Sequence, residues 1–120
     1  MKLITDDQYR LMLDQGRATS AAYEAGREPP ADHRPVVKLF TPDANCTWLL
    51  SELDPEEPDI AFGLCDLGMG SPELGSVRLS ELRAVRGVLG LPVERDMHFA
   101  PDRPLIDYAR AAWKQGSIVA

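Results

Sequence analysis

Residues 36–79 read VVKLFTPDANCTWLLSELDPEEPDIAFGLCDLGMGSPELGSVRL, and the reading of this stretch decides the fold. Val36–Phe40, Thr47–Leu53 and Ile60–Leu67 are apolar runs bounded by turn formers, which is the pattern of strands. Thr41-Pro-Asp-Ala-Asn45 is turn chemistry. Asp54-Pro-Glu-Glu-Pro-Asp59 carries two prolines that cannot continue a ladder, so residues 53–59 read as a loop. Gly68–Gly75 is a second turn-rich connection, and Ser76–Leu79 reads as a short fourth strand. Connections this short predict an antiparallel meander, because parallel pairing needs a longer crossover. In the third strand Ile60, Phe62 and Leu64 share one face, and Ala61, Gly63 and Cys65 the other. The large residues predict the main core. The small ones predict a helix packed closely on the opposite face, since glycine in a strand marks close backbone approach, with a shallow groove as the alternative.

Helices flank the strands. Thr5 is an N-cap candidate with Gln8 three residues on, the spacing of a capping box, and Ile4 and Tyr9 are placed as a hydrophobic staple. Asp6 and Asp7 suit the positive end of the helix dipole. Tyr9, Met12, Leu13 and Gly16 repeat at helical spacing, and the alanines at 18, 21 and 22 carry the helix to about Tyr23. Gly26 and Pro29–Pro30 end it, and residues 27–34 form a polar, proline-rich linker. Ser80 is a candidate cap for a short helix through Leu82 and Val85, stopped by Gly87 or Gly90. Leu91–Phe99 contains Pro92 and reads as an edge strand. Pro104 suits the first turn of a last helix whose stripe is Leu105, Tyr108, Ala109 and Ala112, ending near Gly116. The 120 residues suffice for one α+β domain with one core, and no repeat or low-complexity tract is present.

Charge is the most distinctive property of the chain. No Lys or Arg occurs between Leu39 and Val77, where eight acids stand: Asp43, Glu52, Asp54, Glu56, Glu57, Asp59, Asp66 and Glu73. The whole chain carries −6 and this stretch −8, so the rest carries +2. Five of the eight fall within Glu52–Asp59, and such a concentration can steer a basic partner surface. The bland alternative is a solvating loop that protects a sheet edge. Trp48 and Trp113 are read first as core, and Trp48, if exposed, as the anchor of a partner site beside the loop.

The remaining motifs point away from catalysis and cofactors. His33 lies in the linker beside Asp32 with nothing to position it, and His98 lies near Asp96 and Asp102. Cys46 and Cys65 are the only cysteines, expected as thiols, and no spacing demands that either approach His98. Two Cys and two His at 33, 46, 65 and 98 lack the paired spacing of a zinc site. The acidic loop lacks the pattern of an EF-hand. Gly68–Gly75 lacks the Lys and Ser/Thr of a phosphate-binding P-loop. No cofactor is expected. A pI near 4.8 argues against direct nucleic-acid binding. No apolar run is long enough to cross a membrane, and MKLITDDQYR lacks the apolar core of a signal peptide, so a cytoplasmic location is expected.

The runs PVVKLFTPDANCTWLLSELDP from Pro35, IAFGLCDLGMGSPELGSVRLSEL from Ile60 and GLPVERDMHF from Gly90 resemble a bacterial domain-of-unknown-function family. Its members are small acidic proteins often encoded on plasmids and conjugative or other mobile elements. The similarity runs from about Met1 to Ala112 and is densest from Val36 to Phe99. The resemblance implies a setting, mobile DNA within a bacterial cell, and transfers no catalytic residue. The expectation is therefore a non-enzymatic interaction protein. Its partner site is Glu52, Asp54, Glu56, Glu57 and Asp59 with Trp48, and its partner is a basic surface of another protein. The alternatives are a DNA mimic directed at restriction or CRISPR nucleases, and a small hydrolase using Cys65, Asp66 or His98.

Overall fold

A computed structural model describes residues 2–30 and 33–120; Ala31 and Asp32 of the expected linker, and Met1, lie outside the described residues. The elements are α1 (Asp6–Glu24), β1 (Val37–Phe40), β2 (Thr47–Leu53), β3 (Ile60–Asp66), β4 (Glu73–Arg78), α2 (Leu79–Ala84), β5 (Glu94–Arg95) and α3 (Leu105–Gln115). The strands form one antiparallel sheet in the order β4-β3-β2-β1-β5. The single α+β domain expected from the sequence is present.

Both ends of α1 are written locally. Thr5 Oγ1 accepts from Gln8 N at 3.1 Å while Gln8 Oε1 accepts from Thr5 N at 2.9 Å, closing the capping box. At the other end Gly26 adopts a left-handed conformation. Arg27 N then donates to Ala22 O at 2.8 Å and Gly26 N to Tyr23 O at 3.0 Å, a Schellman motif that satisfies the last carbonyls.

Several boundaries differ from the expectation. Strand β4 starts at Glu73, not Ser76, because Leu74 and Gly75 pair with Leu64 and Gly63 and are not turn residues. Leu79 has already left the strand for α2. Ser80 does not cap that helix; it is itself held by a distant side chain. Asp59 Oδ1 accepts from Ser80 N at 2.9 Å, its Oδ2 accepts from Ser80 Oγ at 2.7 Å, and its carbonyl accepts from Leu79 N at 2.8 Å. Helix α2 ends at Ala84, before either expected glycine, since Val85 is already extended. The edge strand expected over 91–99 shrinks to two residues beside β1, consistent with the ladder donor that Pro92 lacks.

The sheet is covered on both sides. Met12 of α1 and Leu79 and Leu82 of α2 pack on Val37, Leu39, Trp48, Leu50, Leu53 and Ala61. On the other face Leu105, Tyr108, Ala109 and Ala112 of α3 pack on Leu49 and Leu64, with Phe62 and Leu74 beside them. The larger cluster thus lies on the small-residue face of β3, opposite to the expectation. Neighbouring β1 and β2 supply the bulk that β3 lacks there. Gly63 is required by β2, not by a helix: a Cβ on it would stand 2.0 Å from Leu49 O. The close helix approach belongs to Gly16 of α1, where a Cβ would meet Leu53 O at 1.8 Å.

A β-bulge in β2 completes the frame. Leu50 opposes Gly63 and Glu52 opposes Phe62, leaving Ser51 as the extra residue. Its hydroxyl donates to Phe62 O at 3.3 Å, and its carbonyl accepts from Gln15 Nε2 of α1. Directly opposed residues share a face, so Glu52 lies on the α3 side with Phe62, and Leu53 lies on the α1 side with Ala61.

Candidate functional site

The eight carboxylates of the acidic segment go to separate places. Asp66 is buried and ties down the chain after α3, accepting from Gly68 N and Ile118 N at 2.9 Å each. Asp43 Oδ2 accepts from Leu89 N at 2.7 Å and Leu91 N at 3.2 Å. Asp59 holds the start of α2, and its hydrogen bonds to Ser80 keep its carboxyl below the ordinary range. Arg78 stands 2.8 Å from Glu57 and 3.7 Å from Asp59, so an arginine just outside the segment offsets part of the loop's charge. Asp54, Glu56 and Glu73 remain exposed. Trp48, named from the sequence as a partner anchor if exposed, is 3% exposed and belongs to the α1-side core. Trp113 takes the reverse position: it is half-exposed on α3, with its indole N–H donating to Pro72 O at 2.9 Å.

Glu52 has the most informative position. Its Oε2 accepts from Thr19 Oγ1 at 2.7 Å and stands 3.2 Å from His33 Nδ1. Three elements make this junction: α1 supplies Thr19, the bulged end of β2 supplies Glu52, and the segment entering β1 supplies His33. The carbonyl of His33 accepts from Leu105 N at 2.9 Å, which seats the same residue on the first turn of α3. With Glu52 ionised, Nδ1 is the donor and the imidazole is held in one tautomer. Glu52 Oε1 has no hydrogen bond among the described residues.

This junction lines a cavity of about 460 Å³. Phe62, Leu74, Leu105 and Ile106 form its apolar side, and Thr19, His33, Glu52 and Asp54 its polar side. That volume and that division between a hydrophobic wall and a few convergent polar groups are those of ligand pockets generally. Glu52 and Asp54, two of the five expected loop acids, meet here. Glu56, Glu57 and Asp59 do not line it.

A family model for proteins of unknown function, DUF2958, matches residues 3–119. The chain belongs to that family. Membership in DUF2958 agrees with the resemblance to a domain-of-unknown-function family and with no more of it than that, and it assigns no activity to Glu52, His33 or any other residue. No curated protein and no solved structure matches the chain.

The expected hydrolase residues do not converge. Cys65 and Asp66 are consecutive in β3 and point to opposite faces. Burial, assisted by Glu73, pushes the Cys65 thiol up to about 11. His98 follows β5, three strand spacings or about 14 Å across the sheet from β3. Among the described residues no group of three Cys, His, Asp or Glu side chains is placed to hold a metal ion, and no helix is long and apolar enough to cross a membrane. The sequence reading missed His33 and Thr19. The available signal was hairpin register: with Val37 opposite Leu50, the chain before β1 must run beside the end of β2.

Proposed function

We propose that this DUF2958 chain is a protein-binding module that takes a basic side chain of a partner into the cavity between α1, the end of β2 and α3. The observation that carries this reading is the junction of Glu52 and Asp54 with the apolar wall of Phe62, Leu74 and Ile106. An Arg or Lys side chain has the matching chemistry, a methylene stem for the wall and a cationic head for Glu52 Oε1 and Asp54. The wider acidic loop then acts as an approach field around this pocket. With Asp43, Asp59 and Asp66 holding backbone groups and Glu57 paired with Arg78, the arrangement favours one pocket over the extended carboxylate row that a DNA mimic needs. The setting, a mobile element within the bacterial cytoplasm, is carried over from the family resemblance alone.

The test is calorimetric titration with short peptides bearing one central Arg or Lys between apolar residues. Binding should weaken with salt, and Glu52→Gln should weaken it by about tenfold or more, since a desolvated ion pair is lost. Equal affinity for an alanine-centred control peptide would remove the reading.

The Nδ1 contact of His33 with Glu52 favours a second reading, in which a carboxylate-oriented imidazole serves as general base for hydrolysis. It predicts that a panel of ester and amide substrates is turned over by wild type and not by His33→Ala. Equal traces from both proteins would rule it out.

A further inference from the structure

The opposite end of the molecule carries a feature that the cavity does not explain. Residues 86–92 form a small hairpin closed by the Arg86–Pro92 bridge, with Gly87 N donating to Leu91 O and Gly90 N to Gly87 O, both at 3.0 Å. Its tip presents Val88 and Leu89, 87% and 79% exposed, with Leu91 beside them. Asp43, from the β1–β2 turn, accepts the Leu89 and Leu91 backbone N–H groups and so fixes the tip in one shape. Its other oxygen, Oδ1, is buried against Gly87 with no hydrogen-bond partner among the described residues. A carboxylate held at that cost organises an apolar surface that stays in water, and preorganisation of this kind lowers the ordering cost of binding.

We infer that the partner of the cavity is a second copy of this chain, whose Val88–Leu91 tip enters it head to tail. The inference rests on the binding role proposed for the cavity. Charge complementarity selects this occupant. Exposed Arg86 stands at the start of the hairpin and donates to Arg83 O and Val85 O at 2.9 and 2.8 Å, which keeps its charge at the tip's base. Glu52 and Asp54 line the cavity, and Glu56 stands exposed beside Asp54. The tip therefore brings aliphatic side chains for the Phe62–Leu74–Ile106 wall together with a cation for the carboxylates. One chain cannot make this contact with itself. Asp43 precedes β2 and Glu52 lies near its far end, so seven residues of strand, about 23 Å, separate tip from cavity. A tip-to-cavity contact is heterologous, so association continues past the dimer into a ring or a filament.

The experiment is sedimentation velocity on the full chain over a wide concentration range at low and high salt, with two variants. Leu89→Asp disables the exposed tip, and Ser76→Trp fills the cavity from the exposed β4 position that lines it. Wild type should gain mass with concentration, less so in high salt. Each variant alone should stay monomeric, and a mixture of the two should form a one-to-one dimer and nothing larger, because one good tip and one good cavity remain. Val88→Asp repeats the tip test if Leu89→Asp unfolds. Wild type monomeric throughout, a tip variant that still self-associates, or a mixture that stays monomeric would each overturn the inference. In those cases binding of an Arg-centred peptide to the cavity leaves the proposed function standing, whereas failure of that peptide as well removes both.

Discussion

Two carboxylates bracket β2, and the protein uses them in opposite ways. Asp43, before the strand, spends its accepting oxygen on backbone N–H groups and fixes the shape of a neighbouring loop. Glu52, near the strand's end, binds two side chains through one oxygen and keeps the other available to a cavity. Both count equally in the formal charge of the segment, yet one stabilises conformation and the other is placed for recognition. The number of acids in a stretch therefore says little about the potential it shows to solvent. Their hydrogen-bond partners, many residues away, decide that.

Substitutions can break each side of this comparison separately. The largest effect is expected at Gly16, whose backbone lies against Leu53 O beneath the Glu52 junction. Elsewhere in a helix Gly→Ala stabilises by up to about 1 kcal/mol. Here the added methyl meets backbone, and Gly16→Ala should destabilise by roughly 2–3 kcal/mol in urea unfolding, with loss of cavity binding. Asp43→Ala acts on the other end alone. It should cost about 1–2 kcal/mol and speed hydrogen exchange at the Leu89 and Leu91 amides while leaving peptide binding at the cavity intact. Thr19→Val removes one donor to Glu52 and should cost about 1 kcal/mol in the same unfolding measurement.

The smallest effect is a pH dependence. The folded-state pKa of Asp59 lies below its ordinary 3.8, chiefly through the Ser80 hydroxyl, so its contribution is complete above that value and is lost as pH falls through the folded value. The acid limb of a stability–pH curve should flatten in Asp59→Ala. An unchanged limb would mean that α2 docks without this carboxylate.

What was legible in the sequence is what neighbouring residues settle among themselves. Thr5 and Gln8 close a cap across three residues, Gly26 and Gly116 end helices, and the turn at Thr41–Asn45 joins two strands. What was not legible required partners far along the chain. Nothing near Ser80 says that Asp59 will hold it, and nothing near Asp43 says that residues 87–91 will fold onto it. His33 looked unsupported for the same reason, because its carboxylate partner sits nineteen positions on, in a different element. Trp48 was readable in both directions until the pairing of β2 placed it on the face that α1 and α2 cover.

Ser51 makes the middle strand able to lose one residue, at this place, without turning its faces over. It works as a phase shift: residues before it keep one in-out rhythm, and residues after it keep the inverse. Deleting that single position would leave composition and hydropathy almost untouched. It would also leave the pairing intact: Leu50 stays opposite Gly63 and Glu52 opposite Phe62, so Glu52 keeps the α3 side and Leu53 the α1 side, and the loss is confined to the Ser51 contacts with Phe62 O and Gln15.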